Sequence, residues 1–233
     1  MKLGLITYDY AHLKTEQVLL NLLRKFSARE MTLFALPYVP RKERKILFSH
    51  RPAQHEATPT SVLAETLGIE FVCVAKDTEI PEGYDYYLIL GAGILSAEFV
   101  EKAKRVINCH PGVIPTARGL DAFKWSILEM KPLGVTLHYI DKEVDKGEVI
   151  AIIPTPVFIT DTLEMLARRH YENEIAVLSN FDYYFANPIN LFRNIEEGEP
   201  HRRMPYGLEK EMVAKFGEYK QRFAREQHLW LLR

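Results

Sequence analysis

The chain has 233 residues, 47% of them hydrophobic, with 30 basic and 31 acidic side chains and a formal net charge of −1. That length suits one domain, or one domain with a small appendage. The balanced charge gives no basic face for nucleic acid or an anionic membrane, and no window approaches the roughly 18 apolar residues of a membrane span.

Residues 2–7 (KLGLIT) read as a first strand, entered without the apolar core or cleavage site of a secretory signal. Residues 15–26 have apolar side chains at helical spacing, with Thr15 as the expected cap. A second strand follows at 31–36. The pattern then fails over residues 37–60, which hold Pro37, Pro40, Pro52, Pro59 and the basic run RKERK, and a loop of this length points to function. Residues 60–67 read as a helix closed by Gly68. Strands are expected at 71–75 and 86–90, the second ending in Gly91-Ala92-Gly93. Ser96 caps a helix over 96–103, and RVIN (105–108) begins the next strand. Further strands are read at 134–140 and 148–154, a long helix at 161–179 capped by Thr160 or Asp161, and an amphipathic helix at 208–226. Alternating strands and helices, bounded by glycines and caps, indicate an α/β fold with a Rossmann-like, mostly parallel sheet and a short helical C-terminal extension. The expected boundary lies at 185/186. Cys73 and Cys109 sit in strand-like apolar runs, which suits a reduced, cytoplasmic protein rather than a disulfide framework.

The stretch VINCHPGVIPTARG (106–119) carries the chemistry. Residues i and i+2 of a strand share a face, so Asn108 and His110 project together with Cys109 opposite. Ligands of open α/β sheets bind beyond the carboxyl ends of the strands, and Pro111-Gly112 turns the chain away there. An amide donor beside an imidazole polarises a carbonyl and stabilises an oxyanion. Alone, the asparagine reads as a turn former and the histidine as a satisfied polar group; together at the mouth of a sheet they point to function. In GVTLHYIDKEVDKGEVIA (134–151), His138 shares a strand face with Ile140, Asp141 and Asp145 lie in a loop, and Gly147 permits a tight turn. Asp-Lys-Gly by itself is a turn signal. The functional reading sets Asp145 facing His110, where a carboxylate raises the imidazole pKa and accepts a proton from an attacking amine.

The segment INCHPGVIPTARGLDAFKWSILEMKPLGVTLHYIDKEVDKGEVIA resembles the catalytic core of the formyltetrahydrofolate-dependent formyltransferases. Their pattern of Asn-x-His-Pro, a Leu/Ile-Pro pair, Arg-Gly, Gly-Val-Thr-x-His and Asp-x-Gly recurs in order. Residues 84–105 are similar to the family's strand-loop-helix along the folate pocket. The resemblance implies Asn108, His110 and Asp145 as the catalytic triad, N10-formyltetrahydrofolate as co-substrate and no metal. It implies that the groups near Leu88, Leu90, Gly91, Ile94, Leu95, Ile140, Asp141 and Val144 hold the pterin.

Within that family the expected acceptor is a nucleotide-linked amino sugar of surface polysaccharide synthesis. The phosphate loop of the glycinamide ribonucleotide enzymes is rich in glycine, whereas LITYDYAHLKT has none, and a backbone that must approach a phosphate prefers glycine. The C-terminal residues read as helical, unlike the β-barrel of the tRNA enzymes. Tyr8, Tyr10, His50, Arg51, Arg118 and His138 are the expected substrate contacts, Arg51 pairing with a phosphate. The loop holding His50 and Arg51 reads equally as a solvated turn. Glycinamide ribonucleotide is the alternative acceptor, and a non-catalytic folate- or nucleotide-binding module the alternative class. A metal hydrolase built on His110, His138 and Asp145 lacks a compact ligand motif, and a Cys109 nucleophile faces away from His110. Trp125 reads as core. The apolar tail HLWLLR, with Trp230, packs on the domain or meets a second copy, which leans toward a homodimer.

Overall fold

The computed structural model describes residues 1–40, 42–141, 147–190 and 196–230, with side chains through residue 224. Strand β1 (Leu3–Tyr8) is buried along almost its whole length, as expected of an apolar strand covered on both faces. Helix α1 (Leu13–Leu22) leads into β2 (Met31–Leu36). Helix α2 (Thr60–Leu67) ends at Gly68, whose φ of +66° lies in the left-handed region open to glycine. Then come β3 (Glu70–Cys73), β4 (Tyr86–Ile89), α3 (Ala97–Ala103) and β5 (Val106–His110). A two-residue strand β6 (Arg118–Gly119) precedes α4 (Ala122–Leu128), β7 (Gly134–Tyr139) and β8 (Val149–Pro154). Helices α5 (Leu163–Ser179) and α6 (Phe181–Ala186), strand β9 (Pro200–His201) and the long helix α7 (Tyr206–Trp230) complete the described chain.

The main sheet has seven strands in the order β3-β2-β1-β4-β5-β7-β8. Neighbours from β3 to β5 pair in parallel, and β7 and β8 are added antiparallel. The α/β, mostly parallel architecture read from the sequence is therefore correct. On one face, Val18, Leu19 and Leu22 of α1 and Ile175 and Leu178 of α5 pack against Leu5, Leu88, Cys109 and Leu137. On the other, Phe99 of α3 meets Ile6, Phe34, Tyr87 and Val106. Residues beyond the sheet form another core, in which Met212, Phe216, Tyr219 and Phe223 of α7 meet Phe123, Ile127, Leu166 and Met204. Lys124 of α4 and Glu209 of α7 form an ion pair of 2.6 Å inside it, both nearly without solvent exposure. The side chain of Trp230 lies outside the described residues.

Several boundaries differ from the sequence reading. Helix α1 runs from Leu13 to Leu22, and Thr15 is not its cap: its hydroxyl is buried 2.6 Å from that of Thr7 and 2.8 Å from His12 Nδ1. Helix α5 is capped by Thr162, whose hydroxyl accepts the Met165 N–H, rather than by Thr160 or Asp161. Asp161 instead grips Arg169 with both oxygens at 2.7 Å. The short β6–β9 pair has no signal in the sequence, because two-residue strands carry no periodicity.

Among its described residues the long loop before α2 has no helix or strand, yet it is stitched down by acidic side chains. Arg44 reaches Asp121 at 2.7 Å, the Leu47 N–H donates to Glu209, Arg51 binds Glu174, and the Thr58 N–H donates to Glu16. A segment without ladder partners must satisfy its polar groups elsewhere, and here carboxylates of four different parts of the chain do so.

Candidate active site at the carboxyl ends of the strands

Strand alternation holds at the end of β5. Cys109 points into the core at 1% exposure, where burial pushes its thiol pKa far up, which disposes of the thiolate nucleophile weighed above. Across the antiparallel ladder Asn108 faces His138 and His110 faces Thr136. His138 is fully buried. Its Nδ1 lies 3.0 Å from the Tyr139 carbonyl, which can only accept, so Nδ1 carries the proton. Nε2 is then the acceptor for the Asn108 amide N–H at 3.3 Å. His138, expected among the substrate contacts, thus sits beneath Asn108 and sets which way its amide faces.

The turn after His110 is equally determined. His110 Nε2 donates to the Ala117 carbonyl at 2.8 Å, folding residues 110–117 into a closed loop. Gly112 lies in the crook: an added Cβ would sit 2.4 Å from the Ala117 oxygen and 2.7 Å from His110 Nε2, so only glycine permits this bond. The buried Thr136 hydroxyl donates to the Gly112 carbonyl at 2.7 Å and accepts the Ile114 N–H at 3.0 Å. His170 of α5 holds the Pro111 carbonyl at 3.1 Å. The strand therefore delivers Asn108 and His110 to a rim built from rigid contacts. Asp145 and Val144, expected to complete the triad and the pterin contacts, lie outside the described residues.

The strand order reverses between β1 and β4, which is where doubly wound sheets open a crevice. After β4 the Leu90 and Gly91 N–H groups both donate to the Ile6 carbonyl. Leu88 and Leu90 are buried in the core, so a bound molecule cannot reach their side chains. Beyond Gly91 the loop opens to solvent, and Ile94 is 90% exposed. A cleft of about 450 Å³ lies between this loop and the ends of β2 and β3, lined among others by Tyr8, Val39, Lys76, Ile94 and Leu95. Tyr38 stacks on Tyr10 at 4.9 Å and meets Tyr8 edge-on at 5.4 Å. On the opposite side, Ile140 donates its N–H to the Val106 carbonyl and Asp141 is exposed.

The remaining expected substrate residues fall into two groups. Arg118 is buried and committed to structure: Nε and Nη2 hold the Gly198 carbonyl at 3.0 and 2.7 Å, and Nη2 lies 3.2 Å from Glu197. That corrects its reading as a substrate contact. Arg51 stays partly exposed while bonded to Glu174, and His50 stacks parallel on Phe123 at 5.7 Å. Burial, then the nearby Arg51 and Lys124 charges, holds His50 well below its ordinary pKa, so it is neutral. Glu174 was absent from the sequence reading, as was Lys14, 2.7 Å away. Burial alone would raise the Glu174 carboxyl, but Arg51 and Lys14 overcome it and hold the pKa at about 2. Among the described residues no His, Cys, Asp and Glu group has the geometry of a metal site, and no helix is long and apolar enough to cross a membrane.

Residues 85–181 match the family model described as formyl transferase. The trifunctional purine biosynthetic protein adenosine-3 of Gallus gallus is 34% identical over 131 residues, 53% of this chain and 13% of that protein. The phosphoribosylglycinamide formyltransferase of Haemophilus influenzae is 30% identical over 95 residues, 39% of this chain and 45% of the other. The chain thus spans less than half the length of these two curated relatives. In three dimensions it is similar to an N-formyltransferase from Helicobacter canadensis, solved in complex with folinic acid and dTDP-3-aminofucose. The TM-score is 0.59 at 16% identity, over 93% of this chain and 80% of that one. That likeness establishes a shared fold.

Proposed function

We propose that this chain, which carries a segment of the formyl transferase family over residues 85–181, transfers a formyl group from N10-formyltetrahydrofolate to the amine of a nucleotide-linked amino sugar. The amine nitrogen attacks the formyl carbon and a tetrahedral oxyanion forms. The bond from that carbon to N10 then breaks, N10 takes up a proton, and the products are a formamide and tetrahydrofolate. Asn108 and His110 stabilise the oxyanion, and Asp145 accepts the proton lost by the amine, directly or through water. His110 Nε2 is held by the Ala117 carbonyl, which fixes the ring at the end of β5. The folate lies along residues 91–95 and 140–141.

The observation that carries this reading is the pair at the end of β5, an amide oriented by His138 beside an imidazole anchored to its own turn. Preorganised donors of this kind need no rearrangement as charge develops. The amino-sugar acceptor is supported by the glycine-free stretch after β1, which has Tyr8 and Tyr10 packed with Tyr38 from just past the end of β2 in place of a phosphate-cradling backbone. The reading is further supported by the chain-long likeness to the Helicobacter canadensis protein. Glycinamide ribonucleotide is the second reading, favoured by the names of the curated relatives. The test is tetrahydrofolate release by wild type and by Asn108→Ala, His110→Ala and Asp145→Ala. Each substitution should lower turnover by about two orders of magnitude or more while the protein stays folded. Wild-type turnover in any one removes that residue from the mechanism.

A further inference from the structure

The Pro111 carbonyl lies just past the end of β5, beyond the last ladder pair His110–Thr136. His170 supplies the donor from α5, with Nε2 3.1 Å away. A carbonyl only accepts, so Nε2 carries the proton, and Nδ1 then accepts from the Thr155 hydroxyl at 2.8 Å. The Thr155 oxygen in turn accepts from the Asn173 amide at 3.2 Å. The relay has one direction, Asn173 to Thr155 to His170 to Pro111; its middle members Thr155 and His170 are buried, and its ends are half-buried. Phe123 packs against the imidazole at 5.5 Å, with His50 stacked on the same phenyl ring. Burial holds the His170 pKa down to about 4, so the ring is neutral near neutral pH.

We propose that His170 is a positioning residue for His110: it fixes the Pro111–Gly112 peptide and, through it, the imidazole of the candidate active site. The inference rests on the formyl-transfer reading for its consequence, but not for its geometry. The peptide it holds is the one whose next carbonyl is bonded to Thr136 and whose Gly112 abuts His110 Nε2. With both carbonyls of the turn pinned, the backbone next to the His110 ring, itself bonded to the Ala117 carbonyl, is held in place. With Pro111 released, the turn keeps the Thr136 bonds to Gly112 and Ile114 and the His110–Ala117 bond, but the Pro111–Gly112 peptide can tilt and carry the ring off the formyl carbon.

Two substitutions separate this role from plain packing. His170→Leu fills similar space and removes the donor; His170→Gln places an amide N–H near the position of Nε2. In the formyl-transfer assay, His170→Leu should lower kcat about 10- to 100-fold, as small misplacements of reacting groups do, with KM for both substrates nearly unchanged. His170→Gln should restore most of the loss. The activity-independent readout is the ring 1H–15N spectrum of protein labelled at its eight histidines, with His110 assigned by its absence in His110→Gln. The His110 Nε2–H signal should persist in His170→Gln and shift or broaden in His170→Leu. Unchanged His110 signals in folded His170→Leu overturn the proposal, as does an equal loss of kcat in both variants. If His170→Leu does not fold, Thr155→Val, which cuts the relay one step back, decides by the same spectrum: a shifted His110 signal supports the role and an unshifted one refutes it. A shifted signal in a protein that transfers no formyl group would keep the positioning role and reject the functional reading.

Discussion

Thr136→Val should destabilise the protein by about 2–4 kcal/mol. The two side chains are nearly isosteric, so packing changes little. What is lost is a buried hydroxyl that serves both the Gly112 carbonyl at 2.7 Å and the Ile114 N–H at 3.0 Å. Thr136 has no solvent exposure, so water cannot replace it. Each stranded buried group costs about 1–3 kcal/mol, and the extra methyl group returns about 0.8 kcal/mol. Thr136→Ser keeps the hydroxyl and loses only a methyl group, so it should cost about 1 kcal/mol. The assay is urea unfolding of the three proteins, read at the transition midpoint with unchanged slope. Formyl transfer should fall with stability in valine and survive in serine, since the same hydroxyl holds the turn that carries His110. A valine variant within about 0.5 kcal/mol of the serine variant would refute the reasoning, because the hydroxyl would then not be clamping the turn.

Other consequences follow from the same geometry. Lys124→Met leaves the fully buried Glu209 carboxylate without its nearer cation at 2.6 Å, with Arg44 remaining at 4.0 Å, and should cost about 3–5 kcal/mol, whereas Lys124→Met with Glu209→Leu should recover much of it; thermal unfolding of the double-mutant cycle measures both. Because the folded pKa of His170 is near 4 against an ordinary 6.5, the unfolded chain binds the extra proton between those values. Its contribution to stability is complete above about 6.5 and is lost as pH falls toward about 4, by up to roughly 3 kcal/mol, and His170→Gln should flatten that part of the stability–pH curve. Gly112→Ala forces a Cβ to within 2.7 Å of His110 Nε2 and should abolish formyl transfer, with the His110 Nε2–H signal shifted or lost in NMR spectra.

Much of the fold was readable because local and global signals agree. The apolar runs of β1, β2 and β4 are continuous, Gly68 and Ser96 sit at helix ends, and the alternation Asn108-Cys109-His110 places two polar residues on one face whatever surrounds them. The misreadings concern burial. Arg118 and His138 are polar residues in suggestive motifs, and periodicity cannot say that one is consumed by Gly198 and the other lies beneath Asn108. Lys14, Lys124, Glu174 and Glu209 sit on helices, where a charge reads as a solvent face, yet each is buried against an opposite charge far away in the chain. Helix α7 was expected to be amphipathic, but what it covers depends on α4, some 80 residues earlier, by the Lys124–Glu209 pairing. His170 gave no signal because its partner is a backbone carbonyl, which leaves no trace in residue identity.

The most direct test of the central claim is to mix the protein with N10-formyltetrahydrofolate and a panel of amines. The panel holds glycinamide ribonucleotide and nucleotide-linked 3-amino and 4-amino sugars. Tetrahydrofolate release is followed by absorbance and the product by the mass gain of one formyl group. Turnover with a nucleotide-linked sugar, abolished by His110→Ala, is the expected result. Turnover with glycinamide ribonucleotide alone would contradict the sugar assignment while keeping the chemistry. Folate binding without turnover on any amine would contradict the claim that Asn108 and His110 form a working catalytic site.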